Sequence, residues 1–165
     1  MRALLTTSSS TVHMFPPSYL RYTSGFFASM LVFYLVYGTP NVYELGLVSL
    51  LGASIVLTQL FWRNPVLYTN IHIADAIVSR ITIMVFVLYT ITTKAFSVLT
   101  WISYVFLLSG ILGGFYYSHY YSSKQWCSSH HIKSHIVLHL CCYFAACYAF
   151  LPSQNPSMTY GHLWI

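Results

Sequence analysis

Apolar residues run along this chain in long blocks, interrupted only by short polar or proline-containing breaks. Five blocks stand out. The first covers residues 25–37, is lengthened by Tyr22 and Thr23, and stops at Gly38-Thr39-Pro40. The second covers 42–62 and closes at Arg63-Asn64-Pro65; the third covers 71–92 and closes at Lys94. The fourth covers 95–117, and the fifth covers 132–151 and is stopped by Pro152. A helix needs about 20 apolar residues to cross the hydrocarbon core, a length that blocks two to five reach and block one does not. Hydrocarbon offers no partner to an open backbone N–H or C=O, so segments of this kind are expected to be helical. The pattern predicts an all-α fold, a polytopic transmembrane helix bundle of about five spans over residues 23–151. Residues 152–165 are expected to be a short C-terminal tail.

Composition turns this pattern into a class. The chain has 165 residues, of which 57% are hydrophobic and 5% charged, where a soluble domain carries about a quarter charged residues. So few charges cannot cover a water-facing surface, and the expected solvent is lipid. The net charge of +5 does not signal nucleic acid, because the basic residues are scattered singly and form no stripe. It reflects a shortage of acids: Glu44 and Asp75 are the only two. Residues 1–22, with two Arg and no acid, read either as an unstructured tail or as an organelle transit segment. Cys141, Cys142 and Cys147 share one span with Cys127 just ahead of it, a spacing unsuited to disulfides among them.

The basic residues also set an orientation. With five spans, Arg2, Arg21, Arg63, Lys124 and Lys133 fall on one side and Lys94 on the other. That asymmetry places the N-terminus inside. Phe61-Trp62 and Tyr116-Tyr117-His119-Tyr120-Tyr121 suit an interfacial aromatic belt at the inner ends of their spans. The composition leaves open which membrane, endomembrane or organelle, holds the chain.

Candidate chemistry gathers in two places. At about 100° per residue, His131, His135 and His139 fall within an arc of about 80° on the fifth span. His135 and His139 form H-x-x-x-H, a spacing that lets two imidazoles chelate one metal ion. On the third span His72, Asp75 and Ser79 lie within about 60° of one another. Both groups open their spans from the same side, so Asp75 and His139 each lie ~5–10 Å inside the apolar region. If the two helices touch, His72, His135 and His139 are candidate zinc ligands and Asp75 the candidate base that activates a bound water. A hydrogen-bonded structural cluster, haem ligation and proton transfer are the competing readings. His119, His130 and His131 are expected at the headgroup level. Arg80 is expected to be a structural residue, about 140° around the helix from Asp75. The small residues Gly110 to Gly114 and the alanines of the last span are expected to permit close packing.

A polytopic chain with His and Asp on one inner helix and H-x-x-x-H on its last resembles the superfamily of alkaline ceramidases and progestin and adiponectin receptors. That resemblance implies a seven-helix bundle with an intramembrane zinc, and hydrolysis of lipid amides. It carries a zinc-ligand role to His135 and His139 only. The chain departs from the family in its five spans. It has Tyr68 where the family has a serine four residues before the first histidine, and it keeps Asp75 on the same helix as His72. The run F-W-R-N-P followed by N-I-H-I-A-D-A-I also resembles small multi-pass membrane proteins of protists and their viruses, which implies no activity. Three functions follow as expectations. One is a zinc-dependent hydrolase of lipid amides or esters, with membrane lipids as substrates. Another is a non-enzymatic subunit or assembly partner of a larger membrane complex. The third is a haem-binding or proton-linked membrane protein.

Overall fold

The computed structural model describes residues 18–39 and 41–152, so most of the expected tails lie outside the described residues. The described chain is helical: α1 (Ser18–Gly25), a 3-10 turn (Phe26–Ala28), α2 (Ser29–Tyr37), α3 (Val42–Arg63), α4 (Asn70–Thr93), α5 (Val98–Lys124) and α6 (Ser129–Phe150). α3 to α6 are each long and apolar enough to cross a membrane. The first block is instead two short helices joined through the 3-10 turn, and it begins at Ser18, inside the expected tail.

Each long helix starts where a polar side chain accepts a backbone N–H three residues on, which satisfies a donor that the helix itself leaves open. Asn41 takes Glu44, Thr69 takes His72, Ser97 takes Thr100 and Ser128 takes His131. The cap at Ser97 delays α5 to Val98, three residues later than the apolar pattern suggests. At its other end α5 continues through the Tyr- and Ser-rich stretch to Lys124.

α6 is the hub. It packs against α1, α2, α4 and, most extensively, α5. Glycine makes the α5 contact close: a Cβ at Gly114 would lie 3.0 Å from the Leu138 Cα, and one at Gly110 would lie 2.6 Å from the Cys141 sulfur. α3 packs on α4 and α1, and Gln59 of α3 donates to the Arg21 carbonyl and the Ser24 hydroxyl of α1. The helices α1, α3, α4 and α6 thus close a circuit, and α5 lies outside it against α6. α4 meets α6 through Ile83 and Phe86, towards the end remote from Arg63 and Lys124.

That remote end is locked by an ion pair. The Glu44 carboxylate is 1% exposed and lies 3.2 Å from the Lys94 ammonium. It also accepts from the Thr39 N–H at 2.6 Å and from the Tyr89 hydroxyl at 2.9 Å, while Lys94 donates to the Leu151 carbonyl at 3.0 Å. Four chain segments are therefore tied to one carboxylate. The single cation expected on that side is neutralised, which sharpens the charge difference between the two ends. Phe61 and Trp62, expected in an interfacial belt, are core residues at 3% exposed each. They pack with Leu20 and Ile132, because α1 covers the end of α3.

Removing one partner of a buried pair strands the other charge, at about 3–5 kcal/mol. Lys94→Ala is therefore expected to lower stability in detergent by that order. Thermal unfolding followed by circular dichroism measures it, and an unchanged midpoint would show that the pair does not hold this end together.

Candidate functional site

A cavity of about 230 Å³ lies between α3, α4, α5 and α6 at the end bearing Arg63 and Lys124. One wall comes from α3 and α4, with Thr58, Trp62, His72 and Asp75; the facing wall comes from α5 and α6, with Ser118, His131, His135 and His139. α4 and α6 do touch, so the two clusters found in the sequence face one shared space. Both line it, and His72 and His131 pack on the same Trp126 ring, 6.2 and 4.7 Å from its centre.

Each wall is organised by hydrogen bonds. Asp75 accepts from the Thr58 hydroxyl on α3 at 2.6 Å and from Ser79 at 3.4 Å. Deeper along the same interface the Ser54 and Thr82 hydroxyls bond at 2.6 Å. His135 bonds the Ser118 hydroxyl through Nδ1 at 2.8 Å, which couples α6 to α5. His139 bonds the Thr23 hydroxyl through Nδ1 at 2.9 Å, which couples α6 to α1. The His135 and His139 rings lie 4.8 Å apart.

His72 and His131 share a local device that sequence reasoning missed. Each is the third helical residue after a hydroxyl N-cap, and the cap accepts its backbone N–H at 3.2 Å. The imidazole returns the bond: Nδ1 of His72 accepts the Tyr68 N–H, and Nδ1 of His131 accepts the Cys127 N–H, both at 3.2 Å. Tyr68 and Cys127 are the two described non-glycine residues with positive φ, 62° and 57°. The arrangement is a variant of the capping box, with histidine in the place usually held by glutamate and the N–H of the residue before the cap, rather than of the cap itself, as its donor. Its sequence signal, T-x-x-H and S-x-x-H at the mouths of α4 and α6, is visible once the caps are sought. His131, expected at the headgroup level, is consequently 2% exposed, whereas His130 stacks on Tyr121 at 5.2 Å.

These bonds fix which ring nitrogen carries the proton. A backbone N–H is always a donor, so Nδ1 of His72 and of His131 is an acceptor, and the neutral rings hold their proton on Nε2. At His139 the Thr23 hydroxyl stands 2.9 Å from Nδ1 and 3.2 Å from the Leu20 carbonyl. A hydroxyl hydrogen given to Leu20 leaves Thr23 accepting from Nδ1–H, with the Nε2 lone pair of His139 open. Trp62 adds a further donor. Its indole Nε1–H is buried with no hydrogen-bond partner among the described residues, and Trp62 lines the cavity.

The same assignment tests the zinc set. A zinc-bound imidazole needs a free lone pair on the ligating nitrogen. His139 has one, but both His72 nitrogens are committed, one to Tyr68 and one to its proton. Among the described residues no three His, Cys, Asp or Glu side chains gather closely enough to hold a metal ion. The set of His72, His135 and His139 therefore does not fit in this arrangement, and Asp75 faces Thr58 and Ser79. The four cysteines are free thiols, as the spacing suggested.

No protein-family model, curated protein or solved structure matches the chain. The site is accordingly read from its own chemistry.

Nitrogen-15 spectra of histidine-labelled protein in micelles are expected to show His72 and His131 protonated on Nε2 and His139 on Nδ1. The opposite tautomer at His72 would restore it as a metal ligand.

Proposed function

We propose that this multi-pass membrane protein is a binding protein that takes the polar head of a ligand into the histidine-lined cavity. The observation that carries the reading is the unpartnered Trp62 indole N–H. A buried donor without an acceptor costs about 1–3 kcal/mol, and a turn of the Trp62 ring towards a ligand oxygen in the cavity it lines would remove that penalty. The Nε2–H groups of His72 and His131 add two donors around the same space, held in place by their caps. The cavity volume of about 230 Å³ lies below the range of about 300–1,000 Å³ typical of pockets for whole drug-sized molecules. It suits a head group whose remainder stays outside.

The hydrolase expectation uses other groups of the same cavity, His135, His139 and Asp75. It would require His72 to release Tyr68, or a ligand set that does without it. The haem expectation meets the same obstacle at His72. The subunit expectation is compatible with the binding reading, since a ligand-binding membrane protein can also assemble with others.

Native mass spectrometry of detergent-purified protein is expected to retain a bound small molecule in the wild type and to lose most of it in Trp62→Phe. Equal retention by the two proteins would remove the central support. Metal analysis of wild type beside His135→Ala/His139→Ala is expected to give well below one zinc per chain in both. Near one zinc in the wild type, lost in the double variant, would favour the hydrolase instead.

A further inference from the structure

Arg80 lies ten residues into α4, about 15 Å along its axis, where an unpaired cation in hydrocarbon is costly. Its side chain is exposed on the protein and lines the cavity. The chain holds only two acidic side chains. Glu44 is paired with Lys94 at the opposite end, and Asp75 is held by Thr58 and Ser79 and makes no ion pair with Arg80. Neither carboxylate serves as its counter-ion.

The surroundings of Arg80 indicate where the missing anion enters. α4 and α5 have no extended packing against each other, although both contribute to the cavity. Arg80 of α4 spans the space between them, its guanidinium 5.5 Å from the centre of the Phe115 ring on α5. The rim beside it carries Ala76, Ser79, His119 and Ser122. The sparse α4–α5 contact makes this side of the cavity the one at which a lateral slot to the bilayer would open. Long side chains on a helix lean towards its N-terminus, which tilts the guanidinium back towards the hydrogen-bond donors of the cavity.

We infer that the slot between α4 and α5 admits an anionic amphiphile from the bilayer, a lipid with a phosphate-bearing head. Arg80 is its counter-ion, Trp62, His72 and His131 donate to the head oxygens, and the acyl chain stays in the membrane. This inference rests on reading the cavity as a head-group site and adds the charge of the head and its route. Guanidinium suits phosphate because its planar N–H groups can engage two oxygens at once.

The test uses the full chain in a non-ionic maltoside detergent, titrated with lysophosphatidic acid, with a monoacylglycerol of the same chain, or with inorganic phosphate. Tryptophan fluorescence reports binding, since Trp62 and Trp126 line the cavity. Lysophosphatidic acid is expected to bind at least about tenfold more tightly than either of the others, the scale of one charge-assisted hydrogen bond. Arg80→Gln is expected to lose about that factor for lysophosphatidic acid and none for the monoacylglycerol, and Arg80→Lys to recover only part of the loss, since it restores the charge but not the two-oxygen geometry. Equal binding of the two lipids, or unaltered phospholipid binding by Arg80→Gln, would overturn the anionic inference and leave the head-group reading standing. Phosphate binding as tightly as the lipid would overturn the bilayer route. Binding of none of the three would overturn the inference, as expected if Arg80 meets an acid of a partner protein instead. The head-group reading would then be judged separately, by whether Trp62→Phe still loses the retained molecule. The wild-type comparison decides even if Arg80→Gln fails to fold.

Discussion

Hydrocarbon gives no hydrogen bonds, so every polar group carried into the bilayer must find its partner inside the protein or bring one with it. That constraint organises this chain from end to end. At one end it gathers Glu44, Lys94, Tyr89 and the Thr39 N–H around a single carboxylate. Along the α3–α4 interface it pairs Ser54 with Thr82 and Thr58 with Asp75. At the other end it ties four histidines down by Nδ1 to two hydroxyls and two backbone amides. Once these are counted, two groups stand out among the described residues for lacking such a partner, the Trp62 indole N–H and the Arg80 guanidinium, and both residues line one cavity. The functional reading follows from that remainder.

Much of the architecture was legible in the unbroken apolar blocks, because a helix in lipid has few alternatives. The blocks located α3 and α4 to within about a residue. They misjudged the limits of α5 and α6, where Ser97 and Ser128 decide the start and aromatic residues carry α5 on past Tyr117. Helical spacing also put His135 with His139 and His72 with Asp75 correctly on shared faces. What spacing on single helices cannot contain is how far apart two walls stand. α4 meets α6 through Ile83 and Phe86 but bonds α3 at Asp75, and the cavity lies beside that stretch of α4.

The roles inside the site were less legible for a chemical reason. A histidine in a sequence is donor, acceptor or ligand depending on what meets its second nitrogen. Tyr68 and Cys127 reach that nitrogen only because they take left-handed backbone conformations, which a tyrosine or a cysteine does not advertise. Trp62 was misread for a related reason. Next to Arg63 it has the look of a belt residue, yet α1, a helix too short to cross the membrane, lies over it and makes it core.

The position of α5 has a mechanical consequence. The other helices form a closed circuit, while α5 hangs from α6 along a track floored by Gly110 and Gly114. The missing Cβ at Gly114 sets the α5 backbone close against Leu138, and the Ser118–His135 bond closes the same seam. Because Phe115, Ser118 and His119 of α5 line the cavity, the closeness of that seam also sets how far this wall stands from α3 and α4. The dimensions of the site are thus fixed by two glycines that do not touch it.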